Sequence, residues 1–140
     1  IALAQRIRAA VNAATDVAHP LLDGVRGVTH VQFVGPPKAD TADSRSSVIM
    51  PPGGADRSPC GTGTSARTAA LVARRELALG ATVTLESITG GMFASTPVET
   101  TKVGPYPAVV NRISGRAFVT GAATWTVDSA DPQAAGFLVL

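Results

Sequence analysis

Apolar residues at the start of the chain recur with the period of an α-helix. Leu3, Ile7 and Val11 fall on one face, and polar residues such as Arg8 fall on the opposite face. This pattern predicts an amphipathic helix over residues 1–15. We expect its apolar face to pack against a sheet.

Several later segments alternate apolar and polar residues with the period of two that is typical of β-strands. We expect strands over 28–34 and 46–50, and antiparallel strands through the second half of the chain. The expected second-half strands are 83–86, 117–120 and 123–127. Glycines at 90–91, 104, 115 and 121 mark the expected turns between them.

Between these strand regions, small apolar residues cover most of the circumference of an expected helix over 64–79. Gly80 follows as the expected carboxy-terminal cap. A helix this apolar and this small is usually buried with strands close on several sides. The combined pattern predicts an α+β fold with a mostly antiparallel sheet and a buried apolar helix.

The composition indicates one folded domain, because 45% of the 140 residues are hydrophobic and 16% are charged. A net charge of +2 is too small to favour nucleic acid as a partner. No apolar run approaches the roughly 20 residues that cross a membrane, and a single cysteine fits a reducing, cytoplasmic location. The chain starts without Met and inside the helical pattern, so we expect it to be part of a longer protein.

Cys60, the only cysteine, lies where a loop rich in proline and glycine meets the amino terminus of a helix. The first turn of that helix covers Gly61–Ser65, and Pro59 precedes the cysteine. Unpaired N–H groups and the helix dipole favour negative charge at this end. The position therefore favours a thiolate at Cys60 and offers backbone donors to a carboxylate.

Two other functions are less consistent with the pattern. Residues 61–66 match the dinucleotide fingerprint Gly-x-Gly-x-x-Ala, but they follow a loop rather than a buried strand. His19 and His30 have no partner at ligand spacing, which argues against a metal site. Both histidines are also remote in sequence from Cys60, so neither is a convincing second acid or base. We expect neither cofactor nor metal.

Residues 56–67 read Asp-Arg-Ser-Pro-Cys-Gly-Thr-Gly-Thr-Ser-Ala-Arg, which resembles the second active-site motif of the proline racemase and hydroxyproline epimerase family. Further similarities lie at 19–20, 29–37, 86–88, 131–132 and 136–137. The resemblance covers nearly all of this chain but only the carboxy-terminal part of a family member. The first family motif, Met-Cys-Gly-His, is not found in these 140 residues.

The resemblance implies a diaminopimelate epimerase-like fold, in which each half wraps a mostly antiparallel sheet around a central apolar helix. Residues 1–140 would form the carboxy-terminal catalytic half-domain. In the family, a tail such as 131–140 crosses back as a strand to the amino-terminal half. The partners so implied are that missing half or a second chain, with a homodimer as one option. A truncated, non-catalytic half that binds small carboxylates or a partner half is the competing interpretation.

The resemblance also implies a reaction, the cofactor-independent inversion of the α-carbon of proline or 4-hydroxyproline by two thiols. Cys60 would be one thiol, and Asp56 would hold the substrate ammonium. The backbone N–H groups assigned to the substrate carboxylate belong to Gly61, Thr62 and Gly63.

Two positions bear on which substrate the resemblance implies. Relatives that dehydrate 3-hydroxyproline commonly carry Thr in place of Cys60, so the cysteine favours a racemase or epimerase over a dehydratase. Racemases tend to carry Phe at the position of Met50, where it forms a wall of the ring pocket. The methionine departs from that pattern and favours a hydroxylated ring.

Overall fold

The computed structural model describes residues 1–136. Within that range the chain forms two helices and six strands. In chain order they are α1 (Ala2–Ala14), β1 (Val31–Gly35), β2 (Ser44–Met50), β3 (Gly54–Ala55), α2 (Gly61–Ala73), β4 (Val83–Ser87), β5 (Met92–Val103) and β6 (Tyr106–Gly115).

The six strands form one sheet in the order β1-β2-β4-β5-β6, and β3 pairs with β2. All pairs are antiparallel except β2 with β4, which run parallel. The prediction of an α+β fold with a mostly antiparallel sheet is therefore confirmed. A parallel pair needs a crossover connection, and α2 lies in this one.

The face of α2 that meets the sheet carries hydroxyl groups as well as apolar atoms. Thr64 and Thr68 are fully buried, and Leu71 joins a small core with Val83 and Leu85. A second set of contacts joins α2 to β5 and β6. The helix is thus packed on the sheet, and two of its buried residues, Thr64 and Thr68, are polar.

The carboxy-terminal end of α2 differs from the prediction, because the helix ends at Ala73 and not at residue 79. Arg75 adopts a positive φ of 62°. Its N–H donates to the carbonyl of Val72, and the next N–H, of Glu76, donates to that of Leu71. These two hydrogen bonds form a Schellman motif, with arginine in the position that glycine usually takes. Gly80 is therefore not the cap of this helix.

The strands expected over 117–120 and 123–127 are absent, because residues 116–128 have no regular secondary structure. Phe118 is 74% exposed and Trp125 is 90% exposed. An alternating pattern forms a strand only where a neighbouring strand supplies hydrogen bonds, and none of residues 1–136 does so here. Residues 131–136 form turns, and the remainder of the expected crossing strand lies outside the described residues.

Helix α1 forms almost as predicted but packs through a different face. Its only buried residue is Ala4, whereas Leu3 remains 57% exposed. The small alanine side chain allows the helix to approach β1 and β2, where Val31 and Ile49 lie beside it. The expected packing of the larger apolar stripe against the sheet is therefore wrong for the described residues.

Candidate functional site

Cys60 is the residue that caps the amino terminus of α2, where the sequence places it. Its φ of 66° and ψ of 117° are unusual for a residue other than glycine. Neighbouring contacts hold this conformation. The Cys60 N–H donates to Ser58 Oγ at 3.0 Å, and Thr64 Oγ1 donates to the carbonyl of the buried Pro59 at 3.3 Å. The thiol is thus held in one position by the loop and by the first turn of the helix.

The sulfur of Cys60 receives one of the free donors of the helix. The backbone N–H of Gly63 points to Sγ at an N···S distance of 3.3 Å. Within residues 1–136, the N–H groups of Gly61 and Thr62 have no acceptor. The helix end therefore directs one donor at the sulfur and retains two donors for an anion. The N–H of Gly63, which the resemblance assigns to the substrate carboxylate, is directed at the Cys60 sulfur in this structure, and its role towards a carboxylate stays a prediction.

Asp56 lies beside this cysteine and is held by the same loop. Its N–H donates to the Val48 carbonyl at 2.8 Å, and its Oδ1 accepts from the Ser58 N–H at 2.9 Å. Partial burial raises the pKa of the Asp56 carboxyl. Hydrogen bonds from the Ser58 backbone, the Ser58 hydroxyl and the Cys60 thiol, with the charge of Arg57, more than offset that and lower the pKa. Asp56 is therefore a carboxylate at neutral pH.

A pocket of about 290 Å³ opens beside the sulfur. Three of the predicted site residues line it: Cys60, Thr62 and Gly63. The other lining residues are Thr29, His30, Gln32, Val48 and Ala66. The pocket is therefore formed between the start of α2 and the strands β1 and β2.

The remaining predicted site residues do not line this pocket. Asp56 contacts the cysteine from the loop, and Gly61 is exposed at the helix end. Met50 lies at the end of β2, in a groove that residues of α1 such as Ala4 also line. The structure therefore does not bring Met50 to the pocket wall that the resemblance implies.

The first turn of α2 approaches the sheet closely at Gly63, because this residue has no side chain. A Cβ built on Gly63 would lie 3.0 Å from Val48 Cγ2 and 3.3 Å from Gln32 Nε2. These two residues face each other across β1 and β2 as register partners. The close approach keeps the first turn of α2 against the pocket wall.

Sequence reasoning missed the wall contributed by β1. The sequence argues against His30 as a second acid or base, because 30 positions separate it from Cys60 along the chain. In the structure, however, His30 lines the same pocket as Cys60. Its Nδ1 lies 2.8 Å from Thr29 Oγ1. The available signal is the alternation over 28–34, which places His30, just before β1, and Gln32 on one face. What the sequence lacked was the pairing of β1 with β2.

Neither a metal site nor a membrane-spanning helix is found among the described residues. Across 1–136, His, Cys, Asp and Glu side chains do not gather in threes in a way that could hold a metal ion. In the same range, neither helix has the length and apolar character of a membrane span.

The α+β fold, with a cysteine at a helix amino terminus beside a pocket, agrees with comparisons of the sequence. Residues 1–138 match the family described as proline racemase, and the chain belongs to the proline racemase family. It is 48% identical over 130 residues to the 4-hydroxyproline 2-epimerase of Streptosporangium roseum, covering 93% of this chain and 39% of that protein. It is 40% identical over 134 residues to a trans-3-hydroxy-L-proline dehydratase of Bacillus thuringiensis, and the match covers 96% of this chain and 40% of that protein.

The fold is similar to that of a hydroxyproline epimerase from Agrobacterium vitis, whose crystal structure contains trans-4-hydroxy-L-proline. The TM-score is 0.79 at 34% identity, over 99% of this chain and 40% of that chain. The chain thus spans about two fifths of the length of these relatives. The narrower description of the fold as diaminopimelate epimerase-like stays a prediction.

Proposed function

We propose that this chain is the carboxy-terminal catalytic half of a cofactor-independent amino-acid epimerase that inverts the α-carbon of 4-hydroxyproline or proline. The observation that carries the proposal is the position of Cys60. Its sulfur caps α2, receives the Gly63 N–H and borders a pocket large enough for a small amino acid. Membership of the proline racemase family supports the same reaction class.

In the proposed reaction, the Cys60 thiolate removes the α-proton from one enantiomer and becomes a thiol. The electron pair of the broken C–H bond moves into the carboxylate, which gives an enediolate-like intermediate. A thiol on the opposite face then donates a proton to the α-carbon and becomes a thiolate. No net oxidation occurs, and the reverse direction exchanges the roles of the two sulfurs.

The charge that develops on the substrate needs donors placed in advance. The N–H groups of Gly61 and Thr62 are the donors available at the start of α2. Removing a single donor of this kind costs an acyl-transfer enzyme roughly 3 kcal/mol of transition-state stabilisation. Asp56, ionised and adjacent to the thiol, is the group of opposite charge for the substrate ammonium. Together these groups would orient the α-carbon towards the Cys60 sulfur.

The second thiol is assigned to the missing amino-terminal half or to a second chain. Inversion needs a base on one face and an acid on the other, and Cys60 is the only cysteine in the 140 residues. We assign residues 131–140 to the segment that crosses to that other half, and a homodimer is one arrangement of the whole. The mechanism requires Cys60 to stay reduced, which fits a cytoplasmic location.

A 3-hydroxyproline dehydratase is the second candidate, favoured by the similarity to the dehydratase of Bacillus thuringiensis. It would use Cys60 for the same α-proton and expel the 3-hydroxyl as water. The full-length protein, tested separately with 4-hydroxyproline, proline and 3-hydroxyproline in D₂O, distinguishes the two by proton NMR. We expect inversion with α-deuterium incorporation for 4-hydroxyproline or proline. Consumption of 3-hydroxyproline alone would favour the dehydratase, and no reaction would favour a non-catalytic half-domain.

A further inference from the structure

Gln32 presents an unpaired amide at the Cys60 pocket. The side chain extends from β1 and lines the pocket. Its Nε2 atom is enclosed by protein and has no hydrogen-bond partner within residues 1–136. An enclosed donor without a partner destabilises a folded protein, so its presence beside the reactive sulfur requires a reason.

None of the groups around Gln32 within residues 1–136 accepts a hydrogen bond from Nε2. Nε2 faces the first turn of α2, 3.3 Å from the position that a Gly63 Cβ would take. The backbone of that turn presents N–H donors, which cannot accept a hydrogen bond from Nε2. A rotation of the amide by 180° would place the carbonyl oxygen towards the positive helix end and the NH₂ group in the pocket. Either orientation leaves one polar end of the amide for a ligand.

We propose that Gln32 determines substrate specificity by hydrogen-bonding the ring hydroxyl of a hydroxylated proline. This inference rests on the proposed epimerase function. A substrate carboxylate can accept but cannot donate, and an ammonium can donate but cannot accept. A hydroxyl does both, so it alone is satisfied by either end of the Gln32 amide. The carboxylate and ammonium already have assigned partners in the N–H groups of α2 and in Asp56.

The test compares two substrates with the full-length enzyme. Gln32→Met keeps the length of the side chain but removes both polar ends. We expect kcat/KM for trans-4-hydroxy-L-proline to fall about tenfold or more, the effect of one lost hydrogen bond. For L-proline we expect a change of less than about threefold, because proline has no hydroxyl for the amide to bind.

Thermal unfolding gives a second readout that a purely structural role would not produce. Removing an enclosed donor that has no partner should leave Tm unchanged or raise it. The inference therefore predicts a variant that is at least as stable as the wild type and selectively weaker on the hydroxylated substrate. Glu99→Met, at an exposed position of β5 away from the pocket, is the control and should alter neither quantity.

Equal losses on both substrates, or no loss on either, would overturn the role of Gln32 while leaving the epimerase function intact. Wild-type enzyme that inverts neither substrate would instead overturn the proposed function, and this inference with it. If Gln32→Met fails to fold, Gln32→Asn provides the measurement, since it retains the amide but withdraws it by one methylene. The same selective loss is expected, and an unchanged substrate ratio would again contradict the inference.

Discussion

The backbone N–H of Gly63 donates to Cys60 Sγ across 3.3 Å. The amino terminus of α2 therefore donates one hydrogen bond to the sulfur and still has free N–H donors for an adjacent anion. Bringing a thiolate and a carboxylate together would normally be opposed by their like charges. Here both negative charges meet the same positive helix end, which reduces that repulsion. The proposed chemistry depends on this shared arrangement.

Gly63→Ala should impair the site by steric crowding. The added methyl group would lie 3.0 Å from Val48 Cγ2, and overpacking of this kind costs about 1–3 kcal/mol. In the full-length enzyme we expect kcat/KM to fall at least about tenfold and Tm to fall by a few degrees. Gly35→Ala is the control, because a Cβ there meets nothing within 4 Å. Equal behaviour of the two variants would show that Gly63 is not needed for the close approach.

Asp56→Asn tests the proposed ammonium partner. The amide can still accept the Ser58 N–H, so the loop should keep its conformation while losing the negative charge. A charge-assisted hydrogen bond contributes about 1.5–3 kcal/mol, so we expect kcat/KM to fall about 10- to 100-fold. Steady-state kinetics on 4-hydroxyproline measures this. Asp16→Asn, at an exposed aspartate, is the control. An unchanged kcat/KM for Asp56→Asn would remove Asp56 from the substrate site.

Glu86 gives a pH-dependent test of the fold. It is 3% exposed, and its Oε2 accepts the backbone N–H groups of Lys38 at 2.6 Å and Ala39 at 3.1 Å. Those bonds are the main reason that the Glu86 pKa lies below its ordinary value, with a smaller contribution from the charge of Arg45. A depressed folded pKa stabilises the protein above the unfolded pKa, and that stabilisation is lost as pH falls through the folded value.

Glu86→Gln should therefore unfold at lower denaturant concentration than the wild type at neutral pH. The difference should stay constant above about pH 5 and shrink as the pH falls below 4.5. Denaturant titrations across pH 3–7 measure it. Glu99→Gln, at an exposed glutamate of β5, should show no such trend. A Glu86→Gln difference that does not vary with pH would contradict the assigned role of the carboxylate.

The sequence predicted the amino-terminal end of α2 well because local signals determine it. Pro59 stops any preceding helix, and the glycines after Cys60 allow the tight entry. The carboxy-terminal end was predicted wrongly because Gly80 was the expected cap, whereas Arg75 adopts the left-handed conformation. Ending the helix there allows Leu77 to pack against the core cluster. Such tertiary contacts leave no local signal.

The pocket wall formed by Gln32 and Val48 could not be predicted from local sequence patterns. Gln32 and Val48 become neighbours only through the register of β1 and β2. The longest hairpin, β5–β6, was not identified as such, because threonines and charged residues interrupt its alternation. Its turn at Gly104 was predicted correctly, and Gly104 has the positive φ of 58° that favours glycine there.

Residues 1–140 expressed alone should not invert proline or 4-hydroxyproline. The proposed mechanism needs a second acid or base on the opposite face, and this chain supplies one thiol. The exposed apolar residues, such as Leu3 and Trp125, also predict self-association or pairing with a partner half. Polarimetry and mass in solution test both expectations. A monomer with full epimerase activity would contradict the two-thiol mechanism and would direct attention to His30 as the second group.

The exchange of the substrate α-proton in Cys60→Ser tests the central claim most directly. Serine is a preferred amino-terminal cap and its oxygen can accept the Gly63 N–H, so the fold should be retained. Its hydroxyl is a far weaker acid, however, and general acid–base catalysis contributes about 10²–10⁴-fold. We predict that α-deuterium incorporation in D₂O, measured with the folded full-length variant on each enantiomer of 4-hydroxyproline and proline, falls at least about a hundredfold for the enantiomer whose α-proton Cys60 removes. Incorporation at a rate near that of the wild type would show that Cys60 is structural and that the proposed mechanism is wrong.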